Sequence, residues 1–210
     1  MAANADPLIF HITHIENLRS IVSAGGLWSD ARRVEHGFSV RNIGHAHIKQ
    51  RRLARSVPVA ARGKLGEYVP FNFCARSVML YAVHQGHQDY GGGQADIVHL
   101  VTTVHTAIAT GRPWAFTDRH AEVQHALYYD ALTSLPLLDW NAVGAQQWGG
   151  AGYQDVKEQK QAEFLVHDCF PWSAVASIGV ANDLLKARVE GILRGGLHAP
   201  SVQVEPTWYY

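Results

Sequence analysis

The chain has 210 residues, 47% apolar and 17% charged, an ordinary globular balance whose length suits one domain (1–210) with room for a core. Lysine plus arginine and aspartate plus glutamate each number 18, and this zero net charge by itself argues against a nucleic-acid partner. No apolar run approaches the ~18 residues of a membrane span, and "MAANADPLIF" lacks the basic start and apolar segment of a secretion signal, so a cytoplasmic protein is expected.

In chain order, "LIFHI" (8–12) reads as a strand, and "HIENLRSIVSA" (14–24) as a helix with Ile15, Leu18, Ile21 and Val22 at helical spacing. Gly25-Gly26 stops that helix. A polar loop is expected over 29–45. "AHIKQRRLARS" (46–56) predicts a helix, "YVPFNFC" (68–74) a strand and "RSVMLYAVHQG" (76–86) a helix closing on Gly86. Asp89-Tyr90-Gly91-Gly92-Gly93-Gln94 lacks the Lys-Ser/Thr of a phosphate loop and the helix that should follow, so it reads as a turn. "DIVHLVTT" (96–103) is a buried strand and "WAFT" (114–117) a short one. A second loop, 144–161, leads into the strand "AEFLVHDC" (162–169), after which "PWSAV" opens with proline at a helix start. "SIGVA" (177–181) is a strand, "NDLLKARVEGILRGG" (182–196) a helix capped by Asn182 and stopped by Gly195, and "SVQVEP" (201–206) a last strand. Helices and strands mix without regular βαβ alternation, repeats or linkers, which argues for an α+β fold. Cys74 and Cys169 are expected as reduced, buried thiols.

Charge is uneven along the chain. Between Glu35 and Glu67 lie 31 positions with no acid and with Arg41, Lys49, Arg51, Arg52, Arg55, Arg62 and Lys64. Such a stretch is either a phosphate footprint or a solvated basic loop. In the 46–56 helix, Ile48, Arg51, Arg52 and Arg55 fall at i, i+3, i+4 and i+7, so three guanidiniums share one stripe. They repel unless phosphates, carboxylates or water separate them.

His11 and His14 lie three positions apart but do not pair. Thr13-His14-Ile15-Glu16 fits a capping box, which puts His14 on the first helical turn and His11 on the strand face it shares with Thr13. The spacing of a His-Glu-x-x-His zinc helix is absent, and no metal is expected. Glu163, alone on its strand face with Gln161, Leu165 and His167, sits either at an exposed edge or in a place made for chemistry.

"FHITHIENL", "AHIKQRRLARSVPV", "EYVPFNFCARSVMLYAV", "FTDRHA", "KQAEFLVHDCFPW" and the terminal "WYY" together resemble the DarT-type DNA ADP-ribosyltransferase toxins, in family order over residues 8–210. The resemblance implies a single ADP-ribosyltransferase domain, with a split central β core flanked by helices that clamps NAD. It implies transfer of ADP-ribose to a base of single-stranded DNA, usually thymidine, and a macrodomain antitoxin that reverses the modification. By the same resemblance Glu163 and Arg52 match the catalytic pair, and His11, Thr13 and Asn17 the NAD-binding positions. The 144–161 loop matches the substrate-recognition loop. Arg51, Arg55, Arg76, Arg119, His120, Trp148, Tyr153 and Gln161 fall in regions implied to meet DNA. Gln161-Ala162-Glu163 also resembles the Gln-x-Glu of several relatives, with both side chains on one strand face.

In physical terms, cleaving the nicotinamide–ribose bond builds positive charge on the ribose, which a fixed carboxylate stabilises. Glu163 takes that part, and Arg52 serves either the pyrophosphate or the base. Phe73 is expected either to stack on nicotinamide or to fill the core. Trp148 and Tyr153 are expected to stack on unpaired bases. Transfer to guanine, RNA or protein, and a non-catalytic nucleic-acid module built on the 36–66 stretch, are the competing readings.

Overall fold

A computed structural model of the chain describes residues 5–38 and 40–210. Residues 1–4 of the N-terminal segment and Ser39 of the expected 29–45 loop lie outside the described residues. The strands are β1 (Leu8–His14), β2 (Gly26–Trp28), β3 (Tyr68–Asn72), β4 (Ile97–Thr103), β5 (Trp114–Thr117), β6 (Tyr128–Tyr129), β7 (Glu163–His167), β8 (Cys169–Pro171), β9 (Ser177–Val180) and β10 (Ser201–Val204). The helices are α1 (Leu18–Ser23), α2 (Asp30–Glu35), α3 (Ala46–Ala54), α4 (Val78–Gln85), α5 (Val104–Ala109), α6 (Trp140–Gly144), α7 (Gln154–Gln159) and α8 (Asp183–Leu193).

Eight strands line up in the order β10-β9-β4-β1-β3-β7-β5-β6, and β2 pairs with β8 beside them. β1 pairs with β4 along its whole length, Leu8 opposite Thr103 through His14 opposite Ile97. On its other side it meets β3 only at Phe10 opposite Asn72. The sheet therefore parts into two halves at β1 and β3, which is the split core the resemblance implied. Ile9, Phe71, Val98, Leu100, Phe116, Phe164 and Phe170 pack the main core around this division. Burying aromatic and branched side chains of this kind is the main force holding the two halves together.

Several boundaries moved. The loop expected over 29–45 contains α2, capped by the Ser29 hydroxyl accepting from the Arg32 amide. The loop expected over 144–161 ends in α7. The strand expected over 162–169 is broken at Asp168, whose φ of +61° turns the chain so that Cys169 starts a strand in the other sheet. "PWSAV" makes one short 3-10 turn over Trp172–Ala174 with Pro171 before it rather than inside it. Asn182 caps α8 as expected, accepting from the Leu185 amide at 2.9 Å. Cys74 and Cys169 are both free, Cys169 buried and Cys74 half-buried. Among the described residues no helix is long and apolar enough to cross a membrane.

The capping box is not formed. His14 is the N-cap, its Nδ1 accepting from the Glu16 amide at 3.1 Å, while Thr13 Oγ1 accepts from Asn17 Nδ2. Glu16 turns outward to Arg41. β1 runs two residues further than its apolar pattern suggested, which carries Thr13 into the sheet and leaves the cap to its neighbour.

The terminal "WYY" is a lock. Tyr209 Oη donates to the Ile97 carbonyl at 2.9 Å and lies 3.2 Å from the Gly179 carbonyl. The Trp208 ring lies so close to Gly179 that a Cβ there would stand 2.3 Å from it. His99 is buried beneath this tail, with Nδ1 3.2 Å from Tyr209 Oη and Nε2 3.1 Å from the Ala75 carbonyl. Burial, opposed by the Ala75 hydrogen bond, pushes its pKa down to about 4. The unfolded chain then binds the extra proton between that value and its ordinary 6.5, so stability present above pH 6.5 is lost as the pH falls towards 4. His11, His14 and His120 are shifted in the same direction, each chiefly by burial. We expect unfolding free energy to fall from pH 7 to pH 5 by about 2 kcal/mol through His99 alone. His99→Gln should flatten that slope in urea titrations, and parallel wild-type and variant slopes would place the acid sensitivity elsewhere.

Candidate active site

β7 lies between β3 and β5, so Glu163 is not at a sheet edge. It begins the strand directly opposite Asn72, at the division between the two half-sheets, and is 5% exposed. The Glu163 amide donates to Thr117 Oγ1 at 3.1 Å. Its Oε1 accepts from the Ala121 amide and from Arg52 Nη1, both at 3.0 Å, and Oε2 lies 2.9 Å from Arg52 Nη2. Burial pushes the carboxyl up, but the Arg52 charge, His120 and these hydrogen bonds outweigh it and hold Glu163 below the usual carboxylate range. Burial likewise opposes the Arg52 charge, and Glu163 more than restores it. The pair is ionised. Arg52 Nη2, buried against Oε2, completes a two-pronged ion pair with the carboxylate, and the guanidinium lines the cleft beside it.

Only Arg51 and Arg52 lie on α3; the helix expected over 46–56 ends at Ala54, and Arg55 is its C-cap with extended backbone. The protein itself supplies what separates the three charges. Arg51 pairs with Glu122, Arg52 with Glu163, and Arg55 Nη2 donates to the Val123 and Gln124 carbonyls at 2.9 and 3.0 Å. Arg51 and Arg55 reach the same segment, residues 120–124, and Arg52 reaches Glu163, which the Ala121 amide of that segment holds. Tyr128 Oη holds the Ala121 carbonyl from the other side. The Ala121 amide is thereby fixed on Glu163, and His120 is held with Nε2 3.9 Å from Oε1. Burial is the main reason the His120 imidazolium is disfavoured, Glu163 opposing and Arg52 adding to it.

The cleft beside this pair has a volume of about 450 Å³, within the range of small-molecule sites. His11 and Thr13 line it from β1, Asn72 from β3, and Arg52, His120, Gln161 and Glu163 from the far side. His11 Nδ1 lies 2.8 Å from the Pro70 carbonyl, and burial keeps the ring neutral, so Nε2 carries the lone pair. Asn17 also lines the cleft, but its amide is already engaged. Nδ2 donates to Thr13 Oγ1 and to the Arg41 carbonyl, and Oδ1 accepts from the Arg41 amide at 2.6 Å. Its work is to pin the 40–45 segment over the cleft.

Phe73 does not reach the cleft. Its ring makes edge contacts with Phe116, Trp140 and Phe164 in the core, because β3 ends at Asn72 and the next side chain turns inward. Trp28 and Phe38 are aromatic residues that do line the cleft. Sequence reasoning missed both; the only signal was that Phe38 falls in the 29–45 loop.

The other residues expected to meet DNA are dispersed. Trp148 is 9% exposed, its ring against the edge of Tyr81, so it is packed rather than open to a base. Tyr153, in the 144–161 segment, is 39% exposed. Arg119 is tied to Asp118 and Glu158, and Arg76 lies 4.4 Å over the Tyr210 ring with Nη1 donating to Gln146. Gln161 stands in a turn before β7, Nε2 donating to the Lys157 carbonyl, so it does not share a strand face with Glu163. Lys160, buried three residues ahead of that strand, donates to the Val143 carbonyl at 3.0 Å and anchors the loop's end; no sequence pattern pointed to it.

The family model for DarT, described as ssDNA thymidine ADP-ribosyltransferase, matches residues 10–210. A DNA ADP-ribosyl transferase of Thermus aquaticus is 45% identical over 205 residues, covering 97% of this chain and 89% of its own. Thermus sp. 2.9 DarT in complex with ADP-ribosylated ssDNA superposes with a TM-score of 0.90 at 39% identity, over 97% of this chain and 96% of that one. The same protein in complex with NAD+ gives a TM-score of 0.86 at 36% identity, over 97% and 98%.

Proposed function

The chain belongs to the DarT family of ssDNA thymidine ADP-ribosyltransferases, and from that premise we propose that it transfers ADP-ribose from NAD to thymidine in single-stranded DNA, with Glu163 and Arg52 as its catalytic pair. The observation that carries this is the ionised, nearly enclosed Arg52–Glu163 pair at the division of the sheet, facing the cleft wall built by His11 and Thr13.

The cleft's polar groups fit a dinucleotide. Arg52 brings its charge to the cleft for an anionic or hydroxyl-rich ligand, His11 and Thr13 offer polar atoms along β1, and Trp28 and Phe38 offer ring faces. NAD supplies the activated ribose and a leaving group, nicotinamide. Glu163, fixed by Ala121, Arg52 and Thr117, holds negative charge where the ribose becomes positive as the nicotinamide bond breaks. Because these donors are set before substrate arrives, little reorganisation is needed during reaction. The acceptor, thymine N3, must lose its proton as the new bond to the ribose forms. Neutral His120, 3.9 Å from Glu163, is placed to take it, with the Arg52 charge steadying the deprotonated ring. Gly150 and Gly152, both with positive φ, shape the recognition loop that leads to Tyr153, which we assign to base stacking. A macrodomain antitoxin that removes the product is the partner this reading implies.

Nucleoside mass spectrometry after reaction with NAD tests the acceptor. ADP-ribosyl-thymidine is expected from single-stranded oligonucleotides containing thymidine, with no adduct on thymidine-free strands, duplex DNA, RNA or protein. Equal labelling of a thymidine-free strand would move the assignment to guanine or another base.

A further inference from the structure

The start of α3 and the turn after α4 meet at the rim of the cleft. His45 comes from the first, His87 and Asp89 from the second, and one ligand atom from each lies within 4.8 Å of the other two. Linear spacing showed nothing here, because one of the three arrives from about 40 positions away.

One buried nitrogen of this cluster has no hydrogen-bond partner among the described residues. His45 Nδ1 is buried and has no hydrogen-bond partner. It lies 3.8 Å from Asp89 Oδ2, too far for a hydrogen bond. Two ligand atoms on a tetrahedral zinc stand about 3.3–3.5 Å apart, so a small inward movement would seat one. His45 occupies the N-cap of α3 but does not cap it; Asp89 Oδ2 takes the Ala46 amide instead, at 3.2 Å. His87 Nε2 lies 3.2 Å from the Ile43 carbonyl, and donating there fixes the tautomer in which Nδ1 accepts from the Asp89 amide at 3.3 Å, a long contact that a bond from Nδ1 to an ion would replace. A histidine that binds metal through one nitrogen commonly gives the other N–H to a carbonyl in this way. The His45 and His87 rings are 3.9 Å apart, and the His47 ring is 5.3 Å from His45.

We propose that His45, His87 and Asp89 form a binding site for a divalent cation of the zinc class, which ties the N-terminus of α3 to the turn after α4. Two imidazoles and a carboxylate suit such a borderline ion. The ion's task is structural. α3 carries Arg52, and His45 and His87 line the same cleft, so the bound ion would brace the helix that presents Arg52 to Glu163. A ligand that binds only the folded chain also raises its melting temperature.

Cobalt(II) titration of the chelator-treated full chain reads the site directly through visible d–d absorption, with no need for activity. Saturation at one equivalent per chain is expected, with displacement by zinc and a zinc-dependent rise in melting temperature. His45→Ala and His87→Ala should each weaken binding about tenfold or more, and so should Asp89→Asn, whose amide oxygen still accepts from Ala46. His125→Ala, at an exposed histidine elsewhere, should bind as wild type. Metal-free melting curves confirm that the variants fold. Absence of cobalt bands at one equivalent, or bands that persist in both histidine variants, would overturn the site.

Discussion

Glu163→Gln is expected to stay folded and to lose DNA ADP-ribosylation by on the order of 10²–10³, the cost of deleting a single preorganised electrostatic group in an enclosed site. The amide keeps an oxygen for the Ala121 N–H and for Arg52 Nη1, so the shape of the site persists. What disappears is the negative charge that meets the developing charge on the ribose. The variant also leaves the Arg52 guanidinium, nearly enclosed, without its counter-charge. Removing one member of a buried pair outright costs about 3–5 kcal/mol, so Glu163→Ala should melt well below Glu163→Gln. Single-turnover labelling of a thymidine oligonucleotide measures the first effect and thermal melting the second. Labelling near the wild-type rate in a folded Glu163→Gln protein would remove Glu163 from the chemistry.

How much of this site was legible before folding depended on the range of the interaction. Short apolar runs marked β1, β5 and β9, because such runs are a property of neighbouring residues. The short helices α2 and α7 were read as loops, since six residues carry too little periodicity to separate from polar coil. Glu163 could be singled out as odd, but whether it lay at an edge rested on β3 and β5 arriving on its two sides, which no local pattern encodes.

The basic stretch reads differently in space for the same reason. It lacks acids only along the chain. In space Arg41 meets Glu16, Lys49 meets Asp30, Arg51 meets Glu122 and Arg52 meets Glu163. A charge map drawn on the sequence overstated the field left for phosphate. Conversely, the missing helix-type zinc spacing said nothing about His45, His87 and Asp89, which only the fold assembles. Phe73 was left between nicotinamide and core, and the end of β3 decided for the core.

These pairings set the second large effect, a graded response along α3. Arg52→Ala should reduce turnover by at least 10²-fold, and Arg52→Lys should recover little of it, because an ammonium cannot reproduce the two-pronged contact with Glu163. Arg51→Ala should leave turnover nearly unchanged. Its partner contact is half-exposed, and such pairs are worth up to about 1 kcal/mol. Its expected signature is weaker DNA binding with a shallower salt dependence. Arg55 stands between them. Its hydrogen bonds to the Val123 and Gln124 carbonyls hold the segment that presents Ala121 to Glu163, so Arg55→Ala should lower turnover moderately along with melting temperature. Turnover, DNA affinity at two salt concentrations and thermal melting, measured on all four variants, separate the three roles. Equal losses at Arg51, Arg52 and Arg55 would reduce Arg52 to one phosphate contact among several. A fall at Arg52 alone, with Arg55 silent, would mean that the 120–124 segment is held chiefly by Tyr128.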